Sequence, residues 1–252
     1  MLETFNAFVT KINGFVWGPV MLILLIGTHV IMTLRTGIIQ RKTLTAIKLS
    51  ITPDSEASGD VSGFGALATA LAATIGTGNI VGVATAIGAG GPGAVFWMWF
   101  TGLLGMATKF GEATVAVKYR VKAKDGSFIG GPMYALERGM GQKWLGVLFA
   151  IFTGIACFGI GNMTQGNSIA ESVNGTFGVP KVITGIILMI ATGLVILGGV
   201  KSISKVCEKL IPLMAGLYIL GCLVICVING AYIPAAFSAI IRGAFNPQAV
   251  GG

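Results

Sequence analysis

The chain is poor in charge and poorer still in the side chains of acid–base and metal chemistry. Charged residues make up 10% of it, there are only 9 acidic residues, and His29 is the single histidine. No Asp falls inside any long apolar run, so the nucleophile–base or paired-carboxylate sets that an intramembrane enzyme needs are missing. The four cysteines, Cys157, Cys207, Cys222 and Cys226, have no Cys–His metal spacing and lie in or beside apolar runs. They read as reduced, small core residues rather than ligands or disulfides. A secretory leader is also absent from the pattern, because the N-terminus lacks a basic opening and carries Glu3. His29 lies within the first apolar run and reads as a packing or helix-contact residue, with a proton relay as the alternative.

What is abundant is apolar sequence, 54% of 252 residues, with a mean hydropathy of +0.86. That composition defines an all-α polytopic membrane protein. About 20 apolar residues cross a bilayer, and six stretches qualify: Phe15–Leu34, Gly63–Ala89, Ala94–Val117, Trp144–Ala170, Val179–Val200 and Leu210–Asn229. Pro234–Phe245 is too short to cross and reads as interfacial. The net charge of +8 does not point to nucleic acid, because the basic residues sit between apolar runs rather than in one stripe. Arg35, Arg41, Lys42 and Lys48 fall in one connection, six basic residues in 118–143, and Lys201, Lys205 and Lys209 in a third. The opposite side has Lys11, Lys181 and Arg242. The positive-inside rule makes the three richer connections cytoplasmic and the N-terminus external. "RKTLTAIKLS" (41–50) reads either as a basic amphipathic segment on the inner leaflet or as a solvated loop, and "GGPMYALERGMG" (130–141) as a short helix along the cytoplasmic face.

The second run is interrupted. "ALAATIGTGNIVGVATAIG" (70–88) places Gly76, Thr77, Gly78 and Asn79 together at the depth of the bilayer centre. An unpaired backbone group there costs several kcal/mol, and a carboxamide such as Asn79 needs a partner. A break would leave carbonyls at the end of one half-helix and N–H groups at the start of the next. Those ends carry partial negative and partial positive charge, suited to a cation and to a carboxylate. Discontinuous helices near the midplane are how secondary transporters build such sites. Close helix packing through the spacing of Gly78 and Gly82 is the simpler alternative. Elsewhere in the spans, "GNMTQGNS" (161–168) brings Asn162 and Gln165 toward the outer part of the fourth run, and Gln165 can donate to a carboxylate or accept from an ammonium group, with an interhelical hydrogen bond or interfacial wetting as the alternative. Lys109 and Glu112, three apart on one helix face, read as an ion pair. Phe96, Trp97, Trp99 and Phe100 read as an interfacial aromatic belt.

The run "GTGNIVGVATAIGAGGPGAVFWMWFTGLLGMATKFGEA" (76–113), above all "GGPGAVFWMWFTGLLG" (90–105), resembles the alanine/glycine:cation symporter family, also called sodium:alanine symporters. The likeness continues through "GGPMYALERGMG" and "NPQAVGG". Members of that family are much longer and resemble the inverted five-plus-five-helix repeat of neurotransmitter:sodium symporters. The resemblance implies an extra N-terminal helix and cytoplasmic connection over 1–62, a first five-helix repeat over 63–230, and a segment 231–252 leading to a second repeat. The chain is accordingly expected to be the N-terminal part of a longer protein.

The resemblance also implies a function: import of alanine or glycine driven by sodium, with no cofactor, a proton as the alternative coupling ion, and location in the plasma membrane. A channel or accessory membrane subunit is the rival reading. Position by position, the resemblance makes Ala72–Asn79 the unwound segment. Carbonyls near Ala72 and Ile75 would hold sodium, Thr74 and Asn79 a second sodium or the substrate, and Thr77 and Gly78 the amino-acid carboxylate. Gln165 would be a further substrate contact.

Overall fold

A computed structural model describes residues 2–52 and 59–251. Residues 53–58 of the first connection and the final Gly252 lie outside the described part. The architecture is all-helical apart from one two-stranded hairpin.

The chain begins with α1 (Leu2–Val16), which passes through a tight step at Trp17–Gly18 into α2 (Pro19–Arg35). Pro19 occupies the first helical position, where its missing N–H costs nothing. After a short 3₁₀ turn comes α3 (Thr43–Ile51), the stretch read as amphipathic. Then follow α4 (Gly63–Thr74), a break, a π-helical turn over Gly78–Gly82, and α5 (Val83–Gly90). Gly91 (φ +71°) turns the chain into α6 (Ala94–Lys118), 25 residues long. Strands β1 (Val121–Lys122) and β2 (Phe128–Ile129) pair antiparallel, with Val121 opposite Ile129. Next is α7 (Pro132–Tyr134), which continues as a π turn over Ala135–Gly139, as expected for a short helix there. One long helical rod then runs over Lys143–Phe177, made of α8 (Lys143–Ala156), a π stretch over Cys157–Met163, and α9 (Thr164–Phe177). The last elements are α10 (Lys181–Leu197), α11 (Gly199–Ile228), α12 (Ile233–Gly243) and α13 (Pro247–Gly251).

Three helical rods are long and apolar enough to cross a bilayer: Glu3–Arg35, Lys143–Phe177 and Gly199–Ile228. The bent pair Gly63–Thr74 and Gly78–Gly90 makes a fourth if taken as one span. The other two expected spans are helices as well, α6 and the 17-residue α10. Two expected boundaries move substantially: the first rod begins at Glu3 rather than Phe15, because α1 leads into α2, and the last begins at Gly199 rather than Leu210. Lys201, Lys205 and Lys209 were read as a connection, but they belong to α11, which starts directly after the turn at Gly198–Gly199. Gly199 has φ +68°, a conformation that favours glycine.

The interior is built from small side chains. Ala68, Ala94, Ala107, Ala170, Ala244 and Ala249 are buried, with Ile211 the one larger apolar residue beside them, while large apolar side chains face outward along every rod. This is how helices associate in lipid, where tails are as apolar as Leu and association rests on close backbone approach rather than on burying bulk. Two of these crossings position everything else. At the first, α4 meets α11. Ser62 caps α4 by accepting from the Gly65 N–H (2.9 Å) and donates to Glu208 of α11 (2.9 Å). At the second, α2 lies along α6, with His29 Nδ1 2.8 Å from Thr108 Oγ1 and Gln40 donating to both Thr33 Oγ1 and the Leu103 carbonyl. His29 is thus a helix contact.

The cysteines are free, but Cys157, Cys222 and Cys226 lie on the outward surface rather than in the core. Lys109 and Glu112 form the expected pair at 3.0 Å. The aromatic belt has a more specific duty than interfacial anchoring. Trp97 donates its indole N–H to the Ala244 carbonyl (2.6 Å), while Phe96 packs on Phe245 and Trp99 on Phe237, so these rings seat α12 against α6.

Candidate functional site

The span formed by Gly63–Thr74 and Gly78–Gly90 is bent by 50°. Its first half is a regular helix to Thr74. Ile75 still donates to the Leu71 carbonyl (2.7 Å), but its backbone is extended (φ −81°, ψ 97°) and the ladder stops. Gly76 donates to no backbone carbonyl among the described residues, which strips the Ala72 carbonyl of its i+4 partner. The chain re-enters helix as a wide π turn, with Asn79 donating to the Gly76 carbonyl (3.1 Å). The sequence accounts for the site of the break. Gly76 and Gly78 have low helix propensity, and Ile75 and Thr77 are β-branched.

A second π stretch, Cys157–Met163, ends one residue before α9 and two before Gln165. Thr164 closes part of it by donating to the Gly159 carbonyl (3.3 Å). Such wide turns interrupt the regular i to i−4 pattern and recur at functional sites. Here the two interruptions meet. Gln165 Oε1 accepts from Thr77 Oγ1 (3.0 Å) and from the Thr77 N–H (3.4 Å), across 88 residues of sequence. The same Gln165 oxygen would lie 3.4 Å from a Cβ on Gly76, an ordinary van der Waals contact, so the Gln165 amide rests directly against the break. Gln165 Nε2 donates to no described residue and remains available at the break.

On another side of the break a cavity of about 270 Å³ is bounded by Ile75, Gly76, Asn79 and Ile80, and by Met214, Ala215, Tyr218 and Ile219 of α11. Those α11 residues carried no signal in the linear sequence. They share one helical face (214, 215, 218, 219), and only the packing of α4 on α11 turns that face toward the break.

The expected site residues are placed as follows. Thr77 and Gln165 are brought into direct contact. Gly78 and Asn79 lie in the first turn of the second half, and Asn79 reaches the cavity. Ile75 is at the break itself. Ala72 and Thr74 remain inside α4 and Thr77 already has a helical backbone (φ −58°, ψ −28°), so the unwound part is Ile75 and Gly76, shorter than the expected 72–79. The Thr74 hydroxyl donates to the Ala70 carbonyl (2.8 Å), the back-bonding habit of Thr in membrane helices. Asn162 is exposed within the π stretch and makes no contact with the break.

The apolar helices and the broken span define an all-α membrane protein, with a neutral hydrogen-bonded crossing at the break. A family model described as the sodium:alanine symporter family matches residues 2–252, and the chain belongs to that family. Among its relatives is the protein named sodium/alanine symporter AgcS of Methanococcus maripaludis, 53% identical over 249 residues, covering 96% of this chain and 55% of the relative. An uncharacterised transporter of Haemophilus influenzae is 51% identical over 98% of this chain and 54% of its own length. The amino-acid carrier protein AlsT of Bacillus subtilis is 38% identical over the full chain and 54% of its own length. The chain thus spans about half the length of the curated relatives it matches.

Proposed function

We propose that this chain carries one half of the binding site of a sodium-coupled symporter importing alanine or glycine across the plasma membrane by alternating access. The observation that carries the reading is the Thr77–Gln165 crossing at the break. Two interrupted spans meet there through hydrogen-bonding groups that a guest can share.

In this reading the freed Ala72 carbonyl, the Ile75 carbonyl and the oxygens of Thr74 and Asn79 offer neutral ligands to sodium at the negative end of α4. The amino-acid carboxylate is received by the first backbone N–H groups of the second half, at Thr77 and Gly78. There the Thr77 N–H exchanges its long bond to Gln165 for a charge-assisted one to the substrate. Gln165 Nε2 supplies a further donor. Residues in the sequence corresponding to the remaining length of the relatives complete the pocket. The six-span arrangement with an external N-terminus and a first five-helix repeat belongs to the same proposal. It is supported by the helical state of all six apolar stretches and by the basic residues of two connections and of the first three turns of α11. No covalent step is involved.

The name of the relative AgcS and the small side chains around the break favour alanine or glycine over a bulky substrate. The test is uptake of labelled alanine and glycine into proteoliposomes of the protein at its relatives' full length, with and without an inward sodium gradient. Accumulation above the external concentration that collapses without sodium supports symport. Equilibration without accumulation would point to a channel, and accumulation driven equally by a proton gradient alone would replace sodium as the coupling ion.

A further inference from the structure

A groove of about 440 Å³ runs between α3 and the helices beneath it, well away from the break. Leu67 of α4 and Met106 and Phe110 of α6 form its floor, Ala46 and Ile47 of α3 form one wall, and Lys42 stands beside them. Its hydroxyls are largely occupied within their own segment: Thr43 donates to the Gln40 carbonyl and Ser50 to the Ala46 carbonyl. What the groove offers a ligand is therefore an apolar trough with one cation. Lys42 makes no ion pair among the described residues, and Glu112, two residues beyond Phe110, is paired with Lys109. From Arg35 to Thr52 the sequence has four basic residues and no acidic one, and the acidic Asp54 and Glu56 that follow lie outside the described residues.

We infer that this groove binds one acyl chain of an anionic phospholipid of the cytoplasmic leaflet, with the phosphate at Lys42. The apolar floor matches a hydrocarbon chain, and the unopposed charge selects the head group. Helix α3, with Leu44 and Ile51 exposed outside the groove, holds the trough at the depth where head groups meet tails. The inference rests on the membrane orientation proposed above and not on transport of any substrate.

The test uses the protein reconstituted in equimolar phosphatidylglycerol and phosphatidylcholine, followed by gentle delipidation and native mass spectrometry. The expected result is one retained lipid, predominantly phosphatidylglycerol. Lys42→Gln should cut the preference about fivefold, the worth of one basic residue beside an anionic surface. Lys48→Gln removes the same charge from α3 but not from the groove lining, and should leave the preference unchanged. Ala46→Trp, which fills the trough, should abolish retention of both lipids. Equal retention of the two lipids, or an equal effect of Lys42→Gln and Lys48→Gln, would overturn the proposal. So would the absence of any retained lipid, which would mean that protein fills the groove. Uptake assays read the transport proposal separately, so failure of one leaves the other standing.

Discussion

Replacing Gly93 by alanine is the sharpest packing test the fold offers. Gly93 precedes α6 with an ordinary helical backbone (φ −62°, ψ −24°), so its need for glycine is purely one of space. A Cβ there would fall inside contact distance of the Gly243 carbonyl group and 2.7 Å from the Ala244 nitrogen. All these neighbours are backbone and cannot rotate away. Overpacking a rigid site costs about 1–3 kcal/mol, and here the upper end applies. Separating the segments also breaks the Trp97 bond to the Ala244 carbonyl, worth about 1 kcal/mol. The expected loss is about 3–4 kcal/mol, read by equilibrium unfolding in mixed micelles followed by circular dichroism. Gly243→Ala should cost less, because its Cβ would meet the Gly93 nitrogen at 3.1 Å, a clash relieved by a few tenths of an ångström. Gly102→Ala, on the same α6 but with nothing described within 4 Å, should be neutral or stabilise by about 0.5–1 kcal/mol. A Gly93→Ala variant as stable as its parent, or one no worse than Gly102→Ala, would refute the claim that the two backbones are in contact.

Three further outcomes are expected. Gln165→Ala should lower sodium-driven alanine uptake at least tenfold while leaving the fold intact by circular dichroism, and unchanged uptake would remove Gln165 from the site. Ser62→Ala should destabilise the chain by about 1 kcal/mol through loss of the α4 cap, and Glu208→Gln should cost less because Ser62 can still donate to it; equilibrium unfolding reads both. In the β1–β2 turn, the Ser127 hydroxyl and N–H donate to Asp125 and hold its carboxyl below the ordinary 3.8. Since the folded state favours the ionised form, the turn's stabilisation is present above that ordinary value and is lost as pH falls through the lowered one. The protection factor of the Ser127 amide, its exchange rate relative to the intrinsic rate at the same pH, should therefore fall only at the acid end of a titration, and Asp125→Asn should abolish that dependence.

The break was legible because its cause is local: Gly76 and Gly78 flank a β-branched residue in an otherwise continuous apolar run. Its extent was overestimated, since Ala72 and Thr74 have every reason to stay helical and Thr74 satisfies its hydroxyl on its own helix. Gln165 was legible as a chemically capable residue in the right run. Its contact with Thr77 was not, because it depends on how two distant interruptions face each other. The Met214–Ile219 wall of the cavity had no linear signal, for the same reason. The early start of α11 did have one. Lys201, Lys205 and Lys209 recur every four residues, which puts them on one helical face, and that periodicity outweighs their charge as evidence for a loop.

The two halves of the bent span are fastened at their far ends and free at their junction. Glu208 and Ser62 tether the start of α4 to α11, while the Gly93–Gly243 crossing holds the segment after α5 against α12. Between these anchors only Ile75 and Gly76 lack a helical backbone. Any change of tilt must then be absorbed by a two-residue joint directly ahead of the Thr77–Gln165 bond, so in the proposed function the element that pivots adjoins the element that would sense cargo.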